Sequence, residues 1–458
     1  MKFKQFYLGC LAHASYYISS EGEAAIIDPQ RDIQQYIDEA EKNGDKIKYI
    51  IETHSHADFV SGHIELAEKT GAKIVFGQRA NTTFDTFKVA DGEEVTMGRI
   101  KLKFLETPGH TPEGITILAE NLDAPEEPIK MFTGDTLFIG DVGRPDLVGS
   151  KGFSAEQMGE MLYESLHEKI LPLPDETEVY PAHGAGSLCG KSLSEETWST
   201  LGKQRSTNYA LQPMTKDEFV KIVAADQPEV PMYFPKSASK NLQGSKSLDE
   251  VPEPTAATTE EIDAFEGIVL DVRERTEYGA GHVKGSINIG LSGQFASWAG
   301  TLISIGTPIA IVAETKAQVD EAFMRLARVG VESVNSYILI SDYEGAKPSI
   351  AQATVFDTMQ CTNGDVQFVD VRRPQEYANG HAMDTINISL DKLADEVGRL
   401  DPQKPTYLIC QSGYRSSIGT SILESAGFHE IYNVSGGTTE WIAQGLETEV
   451  LATACTNS

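Results

Sequence analysis

The sequence has few cysteines and no long apolar run. Its five cysteines are scattered along 458 residues and form no Cys-x-x-Cys pair. This usage is typical of a reducing compartment rather than of a disulfide-linked scaffold. The chain also lacks an apolar stretch long enough to cross a bilayer, and its first residues turn polar by His13 and Ser15, unlike a secretory signal. These absences predict a cytoplasmic protein.

Basic residues are scarce as well. Lysine and arginine number 38 against 68 aspartate and glutamate residues, which gives a formal net charge of −30. Such a charge repels phosphate backbones and anionic lipid, so we expect neither nucleic acid nor a membrane as partner. A small anionic substrate would then need a local cation, and any arginine near a reactive group becomes informative.

The length predicts several folded domains. At about 100–200 residues per domain, a chain of 458 residues suggests three. Residues 1–245 alternate short apolar runs with helical periodicity, as expected for an α/β domain. A polar stretch rich in proline and serine, residues 236–259, is the best linker, and two further domains are expected at residues 255–347 and 353–452.

The two later domains are copies of one another. The segment Leu-Asp-Val-Arg at 270–273 recurs as Val-Asp-Val-Arg at 369–372, which is 99 positions later. A Gly-His pair recurs at the same offset, with its histidines at His282 and His381. A constant offset over matching residue types indicates a duplicated domain. Each copy alternates strand and helix patterns, which predicts a small α/β domain with a parallel sheet.

Histidine and aspartate side chains follow several predicted strands of the first domain. His54, His56 and Asp58 come directly after an apolar strand, and alternate residues of an extended segment point to the same side. Three more candidates stand at later strand ends, within Gly-His, Gly-Asp and Ala-His-Gly: His110, Asp135 and His183. Imidazole and carboxylate are the ligands expected for zinc or non-haem iron. The ordered set therefore predicts a metal site.

This ordered set resembles the metallo-β-lactamase superfamily, whose αββα fold gathers its ligands at one edge of two packed sheets. The resemblance covers about residues 1–233 and implies the same fold here. In binuclear hydrolases of the superfamily a second histidine follows the position of Asp58, where this sequence has Phe59. Phenylalanine has no lone pair for a metal. One metal per chain is therefore favoured over two.

Within the superfamily, the first domain looks most like the persulfide dioxygenases, through Gly-Arg-Pro-Asp at 143–146 and Val-Tyr-Pro-Ala-His at 179–183. That resemblance implies one ferrous ion, with open positions for substrate and O₂, held by His54, His110 and Asp135. It also implies that three other residues orient these ligands without binding the metal: His56, Asp58 and His183. With zinc as the metal, His56 would instead be the expected third nitrogen ligand.

The same resemblance implies the chemistry. The terminal sulfur of a persulfide, R-S-S⁻, would be oxidised by O₂ at the iron, and hydrolysis would release sulfite and the thiol. Glutathione or a similar small thiol is the expected carrier. Arg144 and Tyr180 are expected to contact this substrate, although an ion pair of Arg144 with Asp146 or Asp58 is an equal alternative.

Near the C-terminal end, Cys410 lies between a short apolar strand and a helical pattern. A cysteine at a helix N-terminus meets unpaired N–H groups and the positive end of the helix dipole, which favour the nucleophilic thiolate. Arg415 is placed to hold an anion over this loop. The motif Cys-x-x-Gly-x-Arg, with the repeated Asp-Val-Arg and Gly-His, resembles rhodanese domains over about residues 260–448. In that family the cysteine carries sulfane sulfur as a persulfide.

The first copy lacks this nucleophile. An offset of 99 places Ile311 opposite Cys410, and no cysteine occurs between Cys189 and Cys361. We therefore expect that the first copy is no sulfurtransferase by itself and serves packing, dimer contacts or positioning.

Cys189 follows His183 by six residues in a glycine-rich segment. It could relay a persulfide between the two sites, or it could be a small buried residue, and both alternatives stay open. Cys10, Cys361 and Cys455 are expected to be structural or incidental.

Together, these features predict an α/β protein with an αββα sandwich followed by two rhodanese-like domains with parallel sheets. The predicted function is oxidation of small persulfides with O₂ to sulfite, coupled to sulfur transfer between Cys410 and sulfite or thiosulfate. We expect a homo-oligomer. Two alternatives are a zinc-dependent thioester hydrolase of the glyoxalase II kind with an appended sulfurtransferase, and a sulfur carrier without catalysis. The thiol carrier and the direction of sulfur transfer stay open.

Overall fold

The computed structural model describes residues 1–147, 152–191, 193–225, 227, 229–361 and 365–451. The chain divides into two compact units. The first comprises Met1–Val251 with Leu326–Gly330, and the second comprises Pro252–Arg325 with the described residues from Val331 onward. Among the described residues, no helix combines the length and the apolar character that crossing a membrane requires.

The first sheet of unit 1 follows the chain order of its six described strands. Its first three strands are antiparallel and the later ones pair in parallel. Two helices lie between parallel strands, α1 (Gln34–Asn43) and α2 (His63–Thr70). The strands are β1 (Lys2–Leu8), β2 (His13–Ser20), β3 (Glu23–Ile27), β4 (Lys46–Ile51), β5 (Lys73–Gly77) and β6 (Phe87–Val89).

The second sheet of unit 1 has the order β12-β11-β10-β9-β8-β7. Its strands are β7 (Glu94–Met97), β8 (Ile100–Glu106), β9 (Ile115–Asn121), β10 (Lys130–Gly134), β11 (Glu178–Pro181) and β12 (Ser199–Thr200). The helices of this half are α3 (Ala155–Glu164), which continues as a π-helical turn over Ser165–Ile170, α4 (Leu201–Thr207), α5 (Lys216–Ala224) and α6 (Phe234–Gln243).

Apolar side chains join these elements into four layers. The central core contains residues of both sheets, such as Ile18 and Phe132. Tyr36 and Leu66 of the helices pack on the outer face of the first sheet. A third cluster combines Leu162 and other helix residues with the outer face of the second sheet. The order helix, sheet, sheet, helix confirms the predicted αββα sandwich.

Part of the predicted linker is helical. The stretch 236–259 was expected to be a linker because it is polar, yet α6 covers its first residues. Ser237 and Asn241 are buried on this helix. Polar composition does not exclude a packed helix, because a buried polar side chain is stable once its hydrogen bonds are satisfied, as those of Asn241 are.

The first copy in unit 2 forms a parallel sheet of order β13-β17-β16-β14-β15. Its elements in chain order are β13 (Thr255–Ala256), α7 (Thr259–Asp263), β14 (Ile268–Asp271), α8 (Arg275–Ala280), β15 (Ile287–Asn288), α9 (Phe295–Leu302), β16 (Ile309–Ala313), α10 (Lys316–Arg328) and β17 (Val334–Leu339).

The second copy repeats this arrangement with the sheet order β18-β23-β22-β19-β21, again parallel. Its elements are β18 (Ala351–Ala353), α11 (Val355–Cys361), β19 (Gln367–Asp370), α12 (Pro374–Ala378), β20 (His381–Ala382), β21 (Ile386–Asn387), α13 (Leu393–Glu396), β22 (Thr406–Ile409), α14 (Tyr414–Ser425), β23 (Ile431–Val434), α15 (Gly437–Ala443) and β24 (Thr448–Glu449). The predicted parallel sheets of both copies are confirmed.

Sheet register corrects the alignment of the two copies. Asp271 pairs with Val312 in the first copy, and Asp370 pairs with Ile409 in the second. The residue that follows Val312, and therefore matches Cys410, is Ala313 and not Ile311. The constant offset of 99 fails here because the segment between the paired strands is two residues longer in the first copy. The absence of a cysteine from the first copy is unaffected.

The repeated Asp-Val-Arg motif is a buried ion pair. Arg372 donates to both carboxylate oxygens of Asp370 at 2.8 to 3.1 Å and to the carbonyl oxygen of Gly380 at 2.7 Å. Arg273 makes the same contacts to Asp271 in the first copy. The motif therefore ties the end of a central strand to the loop before the next strand in each copy.

Removal of one partner from the buried pair should destabilise the last domain. We expect Arg372→Ala to lower its free energy of unfolding by about 3–5 kcal/mol, because the carboxylate of Asp370 stays buried without its partner. Differential scanning calorimetry of the full chain would measure the change. Lys404→Ala, which removes an exposed pair with Asp365, is the control and should leave the unfolding transition nearly unchanged. Equal losses in both variants would contradict the assignment.

Candidate metal centre and cysteine loop

Three predicted donors converge at one edge of the two sheets of unit 1. His54 follows β4, His110 lies between β8 and β9, and Asp135 follows β10. Nε2 of His110 lies 3.4 Å from Oδ2 of Asp135, and Nε2 of His54 lies 3.8 Å from the same oxygen. All three side chains are buried. One ligand atom from each lies within 4.8 Å of the others, a spacing that suits a common metal ion.

Hydrogen bonds aim these donors inward. Nδ1 of His110 lies 2.9 Å from the carbonyl oxygen of Arg144, which only accepts, so Nδ1 carries the proton and Nε2 keeps its lone pair. Nδ1 of His54 lies 2.9 Å from Oγ1 of Thr53, whose hydroxyl is already donated to Asp28. Both histidines are therefore fixed in the tautomer that carries the proton on Nδ1 and leaves the lone pair of Nε2 available to a metal.

The electrostatics also fit a bound cation. Burial lowers the pKa of His54 and of His110, so both imidazoles are neutral. Although burial opposes ionisation of Asp135, His183 holds the pKa of that carboxyl well below its usual range. Nε2 of His54 and Oδ2 of Asp135 have no hydrogen-bond partner among the described residues. Two neutral imidazoles and a carboxylate with unpaired donor atoms fit a divalent metal ion.

His183 bridges two carboxylates beside this group. Its Nδ1 lies 2.8 Å from Oδ1 of Asp135 and its Nε2 lies 2.8 Å from Oδ2 of Asp58. Burial alone would lower the pKa of His183, but the two carboxylates raise it well above its ordinary value. The protonated ring then donates at both nitrogens. His183 therefore holds Asp135 in place and leaves its Oδ2 oxygen for a metal.

The ring of His56 packs against that of His54, but its Nε2 lies near two other carboxylates. Its Nε2 lies 3.1 Å from Asp28 and 3.5 Å from Glu52, both buried. Despite burial, Asp28 and Glu52 raise the pKa of His56. Neither ring nitrogen has a hydrogen-bond partner among the described residues, and the ligand atoms of His56 group with those of Asp58 and His183, or of Asp28 and Glu52. The geometry does not bring His56 into the donor group, as the zinc alternative would require.

Phe59 occupies the position at which a binuclear site would need a further histidine ligand. The ring is buried and lies between His13 and His56, with centroid distances of 4.2 and 4.5 Å. His13 was not singled out from the sequence because it stands alone at the start of β2. It is fully buried, and neither ring nitrogen has a hydrogen-bond partner among the described residues.

Asn241 is a second residue that the sequence did not reveal. From α6, its amide donates to the carbonyl oxygens of His56 and Phe59, each at 2.8 Å, and accepts the N–H of Ser61 at 2.9 Å. It therefore clamps the loop that carries the His-Ser-His-Ala-Asp segment. Its position in a polar stretch far along the chain gave no signal of this contact.

The two residues predicted to contact substrate are engaged elsewhere. Arg144 forms a two-pronged ion pair with Asp146, both contacts at 2.7 Å, which is one of the alternatives considered. The hydroxyl of Tyr180 donates to Glu178 at 3.0 Å, and its ring packs in the central core against Phe3. The structure does not bring Tyr180 to the three donors, and its role as a substrate contact stays a prediction.

Cys189 lies close to the donor group. Its sulfur, Asp135 and His183 offer atoms within 4.8 Å of one another. Burial, followed by the carboxylates of Asp58 and Asp135, raises the pKa of this thiol well above its usual range. The thiol is therefore protonated at neutral pH. The choice between relay and structural residue stays open.

A pocket opens beside the donors. Half of its ten lining residues are threonines, and the hydroxyl of Thr111 has no partner among the described residues. The lining residues are Thr53, His54, Thr107, His110, Thr111, Gly114, Ile115, Thr133, Asp135 and Thr136.

In unit 2, Cys410 is held at the start of α14. Its sulfur accepts the N–H of Gly413 at 3.2 Å and lies 3.4 Å from the hydroxyl of Ser416. Arg415, predicted to hold an anion, pairs instead with both oxygens of Glu376, each at 2.6 Å. Its charge is thus neutralised within the protein. Cys10 and Cys361 are half-buried, and Cys455 lies outside the described residues.

Comparisons with known proteins find relatives for both parts of the chain. The model of the metallo-β-lactamase superfamily matches residues 8–183, and that of the rhodanese-like domain matches residues 255–346 and 353–444. The mitochondrial persulfide dioxygenase ETHE1 of Bos taurus is 32% identical over 207 residues, which are 44% of this chain and 71% of the relative. The cytoplasmic hydroxyacylglutathione hydrolase of Arabidopsis thaliana is 33% identical over 185 residues, which are 39% of this chain and 67% of the relative.

One solved structure extends the likeness beyond unit 1. The crystal structure of a metallo-β-lactamase from Staphylococcus aureus subsp. aureus COL superposes with a TM-score of 0.67 at 34% identity. The match covers 74% of this chain and 98% of that chain.

Gly134 allows the strand that precedes Asp135 to approach Thr53. It has a φ of +52°, and a Cβ there would lie 2.5 Å from Oγ1 of Thr53 and 3.4 Å from Nδ1 of His54. We expect Gly134→Ala to weaken metal binding about 10- to 100-fold, measured by competition with a chelator under anaerobic conditions. Gly140→Ala is the matched control, since Gly140 also has a positive φ, +84°, but has no atom within 4 Å of the added Cβ. Equal affinities in the two variants would refute this role of Gly134.

Proposed function

We propose that this chain, which belongs to the metallo-β-lactamase superfamily, is a persulfide dioxygenase with an attached sulfurtransferase. Two rhodanese-like domains follow the metallo-β-lactamase fold. The homology to persulfide dioxygenases and the two rhodanese-like domains support an enzyme that acts on small sulfur compounds. The proposed reaction converts R-S-S⁻, O₂ and water to sulfite, the thiol R-SH and a proton. Glutathione or a similar small thiol is the proposed carrier.

The observation that carries the first half is the convergence of three buried donors on one point. His54, His110 and Asp135 each offer one ligand atom to a common ion, and those of His54 and Asp135 have no hydrogen-bond partner among the described residues. The carboxylate and imidazole that would serve a second ion, Asp58 and His183, are paired with each other, and Phe59 offers no donor. Two histidines and one carboxylate on one side are the ligand set of non-haem iron enzymes. A ferrous ion in this set would supply open coordination positions where the persulfide and O₂ meet.

The surrounding residues then orient the ligands and the substrate. Arg144 fixes the tautomer of His110 through its carbonyl oxygen. His183 donates to Asp135 and keeps this carboxylate ionised. The hydroxyl of Thr111 faces the adjoining pocket without a partner among the described residues, and we assign it a hydrogen bond to the bound substrate. The buried walls of this site exclude bulk water from the reactive sulfur.

The second half of the proposal concerns Cys410. Its sulfur sits at the start of α14 and accepts the N–H of Gly413, an arrangement that stabilises negative charge on sulfur. We assign it the role of sulfane-sulfur carrier, which delivers sulfur to sulfite to give thiosulfate or receives it in the reverse direction. Sulfite from the metal site is a natural acceptor.

The remaining assignments complete the proposal. The dioxygenase domain is assigned to residues 1–245, the copy without a cysteine to residues 255–347 and the sulfurtransferase to residues 353–452. We propose that the protein acts in the cytoplasm as a homo-oligomer. Cys189, next to Asp135 and His183, is a further candidate for sulfur transfer.

Metal content and oxygen consumption test the first activity. Protein prepared without oxygen should hold one iron per chain and should consume O₂ when glutathione persulfide is added. His110→Ala removes one of three ligands and should abolish this O₂ uptake. Two zinc ions per chain with no O₂ uptake would refute the proposal in favour of a thioester hydrolase, the activity named for the relative from Arabidopsis thaliana.

Cys410→Ser should separate the two activities. We expect this variant to keep O₂ uptake and sulfite formation but to lose thiosulfate formation, since serine cannot carry sulfane sulfur. Sulfite and thiosulfate would be quantified together after derivatisation, and Cys361→Ser serves as a control for the loss of a thiol. Loss of sulfite formation in Cys410→Ser would show that the two sites do not act independently.

A further inference from the structure

The cysteine loop lacks a free cation of its own. Arg415 is bound to Glu376 through two contacts of 2.6 Å, and Arg372 is bound to Asp370. What remains at the loop is the N-terminal end of α14, which contributes a partial positive charge. Sulfite and thiosulfate are dianions, and the chain as a whole carries a net charge of −30. An acceptor of this charge needs a full positive charge near Cys410.

We infer that Arg275, from the copy without a cysteine, supplies this charge and holds the anionic sulfur acceptor at Cys410. The inference rests on the proposed sulfurtransferase function. Arg275 is the first residue of α8, and its Nε lies 3.5 Å from where a Cβ on Gly413 would stand. Gly413 is the residue whose N–H donates to the sulfur of Cys410. The guanidinium is therefore adjacent to the loop that carries the nucleophile.

Arg275 has its charge available. No hydrogen bond or ion pair joins it to another residue in the part of the chain that the structure describes, and its side chain is half-buried. The neighbouring carboxylate of Glu274 accepts the N–H and the hydroxyl of Ser292, at 3.2 and 2.7 Å. Arg275 thus differs from Arg372 and Arg415, whose guanidinium groups are already paired.

Contacts with the first copy fix the position of the cysteine loop relative to Arg275. The hydroxyl of Tyr414, at the start of α14, donates to the carbonyl oxygen of Gly290 at 2.8 Å. A Cβ on Gly293 would lie 2.4 Å from the ring of Tyr414, so only glycine leaves room for this side chain. Two glycines of the first copy therefore form a slot for a residue of the cysteine loop.

Further along α14, small polar residues allow close contact with the first copy. Ser417 donates to the side-chain oxygen of Asn288 at 2.9 Å, and Ser421 accepts the N–H of Asn288 at 3.1 Å. His282 pairs with Glu424 at 2.8 Å. These contacts are buried or half-buried and fix the helix that begins at the catalytic loop. The position of Arg275 relative to Cys410 follows from them.

The chemistry explains why the cation is needed. The sulfur of sulfite attacks the sulfane sulfur of the Cys410 persulfide, a new sulfur–sulfur bond forms, and the bond to Sγ of Cys410 breaks. Cys410-S-S⁻ and SO₃²⁻ become Cys410-S⁻ and S₂O₃²⁻, with three negative charges on each side and no external oxidant. Because a dianion approaches an anion in this step, a guanidinium beside Gly413 lowers the repulsion.

Alkylation of Cys410 in the full chain tests the anion site without relying on turnover. The alkylation rates of Cys410 with anionic iodoacetate and with neutral iodoacetamide are each measured by mass spectrometry of the Cys410 peptide. The ratio of the first rate to the second reports the anion site. Arg275→Gln should lower this ratio about tenfold, the effect of one charge-assisted hydrogen bond, and Arg275→Lys should retain most of it. Lys284→Gln, an exposed residue of the same copy, changes net charge equally and should leave the ratio unchanged.

Thiosulfate formation provides the second readout. Arg275→Gln should raise the KM for sulfite about tenfold. Sulfur transfer from Cys410 to neutral dithiothreitol and O₂ uptake at the metal site should both equal those of the wild-type protein. An unchanged alkylation ratio in Arg275→Gln would overturn the inference. A lowered ratio in a chain that makes no thiosulfate would support the anion site and refute the sulfurtransferase assignment, so the two failures are distinguishable.

Discussion

The metal centre depends on one buried interaction, the bridge of His183 between Asp135 and Asp58. An imidazolium enclosed by two carboxylates is stable without water only if both nitrogens donate, as they do here at 2.8 Å. This bridge fixes one oxygen of Asp135 and leaves the other unpaired among the described residues. It also occupies one oxygen of Asp58, Oδ2. In the proposed site, where His183 is not a ligand, this residue therefore limits the donor atoms that Asp135 and Asp58 can offer to a metal.

The sequence was informative wherever function requires a residue type at a strand end. Strand ends indicated six candidate donors, the resemblance to persulfide dioxygenases selected His54, His110 and Asp135 among them, and the structure brings these three together. Asn241 and His13 could not be named. Asn241 acts through backbone carbonyls of a loop far away in sequence, and His13 is a lone histidine whose importance comes from burial alone. Contacts of this kind depend on tertiary packing and leave no local pattern.

The duplicated half shows a different limit. The repeat predicted both parallel sheets, yet its constant offset failed by two residues, because loops change length more easily than strands change register. The same limit applies to charge. Arg415 carries a guanidinium in the expected place, but its pairing with Glu376 could not be predicted from spacing, since the partner lies 39 positions earlier. A motif specifies which residue is present and leaves open whether its charge is already neutralised.

The glycine slot that receives Tyr414 has a consequence for how the duplicated half can evolve. A copy that has lost its nucleophile is usually free to accumulate substitutions, but here any side chain at Gly293 would displace a residue of the other copy's active loop. If Cys410 transfers sulfur as proposed, selection on that activity also acts on the copy that lacks the cysteine. The two copies are therefore expected to be inherited together. A gene that encoded only the second copy would produce a cysteine loop without the glycine slot that receives Tyr414.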